Sequence, residues 1–386
     1  MSWNRVCFCP TDCSVGFFLS VFATFLMIKN IGGKYMIKVE RTKLLEAVQK
    51  AARAIRKKSI TQIGECVLIK VQDNMMYISG SSSFMSIKTW MDVDTSGEQL
   101  AVVVNARMLI NVLSQMTGSQ VALSEKKKML HLKCGNIKFD LTSIEADLWT
   151  ELPNINSEYT FNLNGEVLEC VHALKGKDYG NNLMSSIHME IGEKDVEFIA
   201  LDGFRISVRG QSESVQHELN LDGEFVKEAL NLTNGEAKIE VCGDLVQIKN
   251  PGICIIGKAT QGTYFNVNKF LYPEKMLIKF SLERKKILET LNSMLIVGDH
   301  ILLELKDGVC KMSARHALGS MESAFNIKGA EDQQIQIGFN GRFLQEALKS
   351  IKPETISIEM RSDKEPIYIR GDGYTEILMP IMTVKQ

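Results

Sequence analysis

The sequence lacks a dominant sign of charge: Lys+Arg 45 against Asp+Glu 46 leave a formal net charge of -1. A protein that simply coats nucleic acid is usually basic, so any phosphate contact here has to come from cations segregated on one face. It also lacks a disulfide framework. Nine cysteines are scattered without a repeating spacing, which fits reduced thiols in a cytosol. The densest group, Cys7, Cys9 and Cys13, has neither a second pair nor nearby His ligands, so a zinc site is not expected. The six histidines show no spacing for a metal or for a nucleophile–base pair, and no paired carboxylates stand out. Gly252 to Lys258 has the spacing of a phosphate-binding loop, but Ala259 replaces the Ser or Thr that such a loop needs for magnesium. Its apolar interior reads as a buried strand. Nothing asks for catalysis or for a cofactor.

What is present is ordinary in composition, 45% hydrophobic and 24% charged, enough for full cores in two or three domains. Residues 1–35 do not match the rest. The apolar run 15–28 has the length of a signal-peptide core, yet only Arg5 precedes it and no small-residue cleavage site follows. The codons for Ile31-Gly32-Gly33 can hold a purine-rich ribosome-binding sequence just before that of Met36. Residues 1–35 are therefore read as a non-native extension with Met36 as the start, which the intact mass of the natural protein would check.

From Met36 the chain repeats itself with a period of roughly 120 residues. Each copy opens with an alternating strand and an amphipathic helix: MIKVERTKLLEAVQKAARAI, YTFNLNGEVLECVHALKG and LIKFSLERKKILETLNSM. Strand, turn and strand follow, with Asp73-Asn74, Gly192-Glu193 and Asp307-Gly308 as turn residues. A second helix comes next in each copy: NARMLINVLSQM, DGEFVKEALNL and NGRFLQEALKSI. Asn105, Asp222 and Asn340 stand where N-caps belong. Each repeat is thus itself doubled, one helix and a few antiparallel strands per half. The fold class expected is α+β, in three repeated domains over 36–157, 158–276 and 277–386, with linkers near 154–158 and 273–276.

Plotted at about 100° per residue, the first helix puts Leu44, Leu45, Val48, Ala51, Ala52 and Ile55 on one arc. Lys43, Lys50, Arg53 and Lys57 gather opposite, with Arg56 and Lys58 adjoining. This face is either a solvated surface or one that meets DNA phosphates. Arg284, Lys285, Lys286, Arg342 and Lys349 repeat the theme in the third copy, whereas Asp222, Glu224 and Glu228 make the middle copy acidic. No aromatic residues interleave the basic ones, so base stacking is not suggested.

Leu201-Asp202-Gly203-Phe204-Arg205-Ile206 resembles the Thr-Asp-Gly-His-Arg-Leu signature of the bacterial DNA polymerase III beta subunit. The ending Ile377-Leu378-Met379-Pro380-Ile381 is similar to that family's hydrophobic-Met-Pro-Met stretch, and the opening from Met36 to Leu45 and Gly338-Phe339-Asn340 are also similar. The likeness runs from Met36 to the end. It implies a cytoplasmic DNA sliding clamp without catalysis, cofactor, metal or membrane attachment. Its partners would be double-stranded DNA held without sequence preference, the replicative DNA polymerase, the clamp loader and other proteins with clamp-binding motifs. It further implies a homodimer ring of six domains, helices lining the inside and antiparallel sheets outside. A peptide-binding cleft follows from the same resemblance, at Met184, Leu201, Gly203, Phe204, Arg205, Ile206, Phe270, Leu271, Asn340, Phe343, Pro366, Ile377, Met379, Pro380 and Ile381. Leu201 and Phe204 depart from the family's Thr and His, Phe265-Asn266-Val267-Asn268 replaces its Phe-Pro-Asp-Tyr turn, and Phe270 replaces a basic residue. A greasier cleft with altered peptide preference is expected, as in a second, specialised clamp copy. The competing expectations are a clamp-like interaction scaffold without DNA encirclement, and an enzyme attached to a membrane through residues 1–35.

Overall fold

The computed structural model describes residues 37–381 apart from 56–60, 154, 177–181, 274–275 and 277. The extension 1–35 and the start at Met36 lie outside these residues, as do Arg56, Lys57 and Lys58 of the basic face. Six α-helices are described: α1 Arg41–Ala52, α2 Ala106–Gln115, α3 Gly223–Leu232, the single turn α4 Asn268–Leu271, α5 Arg284–Val297 and α6 Gly341–Ser350.

The strands form four antiparallel sheets, and the fold is α+β. Two sheets have eight strands and each is shared by two repeats. In the first, Met85–Asp92 of the first repeat pairs with Ile253–Lys258 of the second, Thr89 opposite Ile253 and Met85 opposite Gly257. In the other, Arg205–Arg209 of the second repeat pairs with Tyr374–Leu378 of the third, Arg205 opposite Leu378. The segment with the spacing of a phosphate loop is therefore the seam between two repeats. The two remaining sheets have four strands each and end in open edges, Ile137–Thr142 in the first repeat and Gly319–Asn326 in the third.

Helices pack on the sheet faces because their apolar stripes have nowhere else to go. Leu44, Ala47, Val48 and Ala51 of α1 join Leu109, Val112 and Leu113 of α2 in the first core, and Ile287, Leu291 and Met294 of α5 join Leu344 and Leu348 of α6 in the third. The three N-caps are in place. Asn105 Oδ1 accepts from Met108 N, Asp222 Oδ1 from Glu224 N and Phe225 N, and Asn340 Oδ1 from Arg342 N and Phe343 N. The central core runs across the first seam, taking in Ala54, Met85 and Ile87. Gly257 makes room there for the Phe225 ring: a Cβ would lie 2.4 Å from Phe225 Cε2.

The repeat extends to single hydrogen bonds. Arg41 donates to the carbonyls of Gly118 and Leu113, and Arg284 to those of Pro353, Lys352 and Leu348. Each arginine thus closes the C-terminal end of the second helix of its repeat, where unpaired carbonyls favour a cation. Arg284 is accordingly not part of an outward basic face.

The middle repeat departs from the expected pattern. Its first helix is replaced by two 3-10 turns, Gly165–Glu169 and Val171–Ala173. The Glu169 carbonyl, which an α-helix would use in its ladder, instead receives Arg209 Nη2 at 3.3 Å and lies 3.0 Å from His172 Nδ1. The buried arginine competes for the backbone and the longer helix is lost. The connection after Ile191 also differs. Gly192 N donates to Asp195 O across a four-residue loop, whereas Asp73-Asn74 and Asp307-Gly308 adopt the positive φ of two-residue hairpin turns.

On the middle repeat Glu190 stands directly opposite both Glu197 and Glu218 in neighbouring strands. Burial, then the charge of Glu190, raises the Glu197 carboxyl from 4.5 to about 7. The folded chain therefore holds a proton that the unfolded chain has released, and stability falls as pH rises from about 4.5 to about 7. Glu197→Gln is expected to raise the thermal midpoint at pH 8 and to leave it nearly unchanged at pH 4.5, as followed by circular dichroism.

Candidate functional site: an interdomain cleft and a basic helix face

The second seam carries an apolar cluster on one face. Ile199, Leu201, Ile206 and Val208 of the second repeat meet Tyr368 and Ile377 of the third, and Tyr264 and Val267 cover them. Leu183, Met184, Phe270, Leu271 and Met276 pack against the cluster from its margin, partly buried. Six of the residues expected from the sequence are thus brought together: Met184, Leu201, Ile206, Phe270, Leu271 and Ile377. Tyr264, Val208 and Tyr368 belong to the same cluster and were not foreseen. They come from segments with no signature of their own, and only strand alternation around Arg205 could have pointed to Val208.

The Asp-Gly-Phe-Arg turn has a local cause. Asp202 Oδ1 accepts from the amides of Phe204 and Arg205 at 2.9 and 3.1 Å, and Gly203 takes φ 92°. Such a turn needs a short acceptor side chain and a residue without Cβ strain, and it holds Phe204 out at 63% exposure. Arg205 is buried. It donates from Nε to Asp202 Oδ2 at 3.0 Å and from Nη1 to Glu346 of α6, and lies 4.2 Å over the Phe343 ring. Phe204 and Phe343 face each other with centroids 6.4 Å apart.

The chain's closing segment is stitched to both repeats. Met379 N donates to Phe204 O at 2.9 Å and Ile381 N to Gly338 O at 2.7 Å, leaving Met379, Pro380 and Ile381 half-buried. The Asn340 Oδ1 is occupied as the cap of α6, which fixes the side chain at the border of this region. Pro366 lies half-buried one residue before strand Ile367–Gly371, which supplies Tyr368. The expected cleft residues therefore fall into two neighbouring parts, an apolar cluster and an aromatic rim at Phe204 and Phe343, with Met379 backbone-bonded to the turn between them.

On α1, Lys43, Lys50 and Arg53 lie away from the buried stripe, each with a carboxylate nearby: Lys43 with Glu40 at 3.2 Å, Lys50 with Glu46 at 2.6 Å and Arg53 with Glu228 at 2.9 Å. Glu228 belongs to α3, so part of the acidity of the middle repeat serves the first seam. Exposed pairs of this kind contribute about 0–1 kcal/mol and exchange readily for a stronger anion.

Chemistry of a covalent kind finds little support. Burial pushes the Cys170 and Cys310 thiols up to about 12, the reverse of an activated nucleophile. Among the described residues no group of His, Cys, Asp and Glu is arranged to hold a metal ion.

Doubled α+β repeats joined edge to edge through shared sheets have the architecture of the DNA-clamp fold. Residues 35–155 match the family model of the DNA polymerase III beta subunit, N-terminal domain. The beta sliding clamp of Staphylococcus aureus is 21% identical over 373 residues, covering 89% of this chain and 98% of its own. The solved DNA polymerase sliding clamp of Bacillus subtilis superposes with a TM-score of 0.83 at 16% identity, over 91% of this chain and all of that one. The Helicobacter pylori beta clamp, solved with a DNA ligase peptide, superposes with a TM-score of 0.80 at 18% identity, over 90% of this chain and all of that one. By sequence over residues 35–155 and by fold over most of its length, the chain is similar to the DNA polymerase III beta subunits, the beta sliding clamps.

Proposed function

We propose that two copies of this chain close head to tail into a ring around duplex DNA and tether a polymerase and other clamp-binding proteins there. The observation that carries this reading is the equivalence of sheet edges. At both internal seams the last strand of one four-stranded half pairs with the last strand of the next repeat's other half. Gly319–Asn326 is the counterpart of Met85–Asp92 and Arg205–Arg209, and Ile137–Thr142 that of Ile253–Lys258 and Tyr374–Leu378. These two are the halves left without a partner, and pairing them between copies makes all six seams eight-stranded with no open edge of this kind. The domains are proposed as 36–157, 158–276 and 277–386, and the protein as a cytoplasmic one that acts without catalysis of its own. Among the described residues no helix is long and apolar enough to cross a membrane.

Lys43, Lys50 and Arg53 are proposed to face the DNA; Arg56, Lys57 and Lys58, assigned to the same role from the sequence, lie outside the described residues. Holding phosphates without reading bases leaves the ring free to slide, so persistence comes from topology. Replacing Lys43, Lys50 and Arg53 by Ala is expected to flatten the slope of log affinity on log salt by about 0.9 for each phosphate that is no longer neutralised, read from titrations of duplex DNA at several ionic strengths.

The apolar cluster and its aromatic rim are proposed to take the clamp-binding peptides of partner proteins, as the Helicobacter pylori clamp takes a DNA ligase peptide. A flexible Met beside exposed rings suits a Leu or Phe anchor. Met379→Ala is expected to weaken such a peptide by about 2 kcal/mol, roughly thirtyfold, by fluorescence anisotropy. The whole reading is tested on nicked circular duplex with loader and ATP. Retention that vanishes when the circle is cut confirms topological linkage, and equal binding to circle and linear form contradicts it.

A further inference from the structure

The face of the second seam opposite the peptide cleft carries buried charge. Arg209 and Glu376 are each 2% exposed at the side chain and meet at 2.6 Å, Nη2 to Oε1. Arg209 Nη1 donates to Ser207 Oγ and to Val208 O, and Nη2 donates to Ser350 Oγ at 2.7 Å. Its Nε donates to Glu169 Oε2 at 3.2 Å, and Glu169 is also paired with Lys352 at 3.0 Å. Glu376 accepts from Ser207 Oγ and Ser350 Oγ and lies 3.2 Å from His172 Nε2. Glu169, His172, Ser207 and Arg209 come from the middle repeat, and Ser350, Lys352 and Glu376 from the last. Every partner of this network is held across the seam or to it.

The same two strands build both faces. Ile206 and Val208 point into the cleft cluster while Ser207 and Arg209 point into the network, and Ile377 and Glu376 divide likewise. Glu376 is three residues from Met379, whose amide is fixed to Phe204 O. A change in the spacing of these strands therefore has to appear on both faces at once. Among the described residues the first seam shows no such network: its core is apolar, and Arg53–Glu228, an ion pair across it, is partly exposed.

We infer that Arg209 and Glu376 are positioning residues for the peptide cleft, a buried ionic latch that fixes the register of the two repeats so that the cleft is preformed when a peptide arrives. The inference rests on reading the cleft as the peptide site. A buried ion pair gives little net stability compared with apolar packing, but its fixed bond directions specify one arrangement over its neighbours. Removing the latch leaves a seam that samples several spacings, and the peptide then binds only the fraction with the right one. Coupling is reciprocal, so a bound peptide also has to hold the latch shut.

The test uses a fluorescent DNA ligase peptide and the full chain. The unmodified protein is measured first, and no saturable binding there overturns the cleft reading and the latch with it. Glu376→Gln, still folded by circular dichroism, is expected to bind about tenfold more weakly although position 376 does not face the cleft. Unchanged affinity overturns the latch alone. Should that variant fail to fold, Arg209→Met with Glu376→Leu strands no charge and replaces it: weaker binding supports the latch, and equal binding overturns it. Hydrogen exchange supplies the readout that a purely stabilising role would not move. Peptide is expected to slow exchange of the turn amides over 169–174 in the unmodified chain and not in the double variant. The same slowing in both contradicts the inference.

Discussion

A chain carrying Phe139→Lys and Ile296→Lys is expected to sediment as a monomer near 43.3 kDa at concentrations where the unmodified chain forms the proposed dimer. Phe139 lies on the open edge Ile137–Thr142, together with exposed Ile137, and α2 packs behind that strand with Met108 at 52% exposure. Ile296 lies in the last turn of α5, the helix that packs on the other open edge Gly319–Asn326, and is 86% exposed; Leu318, just before that edge strand, is 93% exposed. Large apolar side chains this exposed at both free ends, and matched in chemistry, fit surfaces that the proposed ring would cover. Lysines at these two edges would bring like charge into the proposed joint and give up apolar burial, which costs several kcal/mol in an interface of ordinary size. Thermal unfolding of the monomer should be little changed, because neither side chain is in a core. Retention on nicked circles should disappear. A double variant that remains dimeric would move the dimer interface elsewhere and sink the edge-pairing scheme.

Arg209→Met is expected to have the largest effect on stability of any single change at the second seam, about 3–5 kcal/mol, because it leaves Glu376 buried without its counter-charge. Guanidinium denaturation followed by circular dichroism should show the loss in the transition of the last two repeats. Adding Glu376→Leu should return most of it, since a neutral apolar pair of similar volume carries no desolvation penalty. If the single variant unfolds at the same denaturant concentration as the unmodified chain, water reaches Glu376 and the network is not buried in solution.

The doubled repeat was legible in the sequence because periodicity, turn residues and N-caps are local signals. Asn105, Asp222 and Asn340 act where the pattern placed them, and the α1 stripe faces the core as its spacing required. The middle repeat defeated the same reasoning. The segment after Leu163 has an amphipathic pattern, but an arginine 40 residues downstream takes the Glu169 carbonyl, and nothing local records that competition. Arg284 was misleading for a similar reason. A lysine or arginine at a helix start reads as surface charge, whereas here it closes a helix end 64 residues away. The apolar cluster of the second seam was legible only through family likeness, and unforeseen members such as Tyr264, Val208 and Tyr368 sit on separate segments that meet only after folding. Buried charge such as Arg209 and Glu376 is hidden from any pattern rule, since alternation in a strand assigns charged residues to solvent.

In the proposed ring, the four seams inside two copies and the two seams between them differ in one respect that geometry alone does not express. Within a chain, the halves of each shared sheet are permanently tethered and face each other at a high effective concentration, whatever the dilution. The edges Ile137–Thr142 and Gly319–Asn326 meet only by mass action. Dilution therefore acts on those two joints and spares the others, so a scarce protein of this design would spend part of its life as open half-rings. Joining two copies into one polypeptide would make both joints intramolecular, so that closing the ring would no longer depend on dilution.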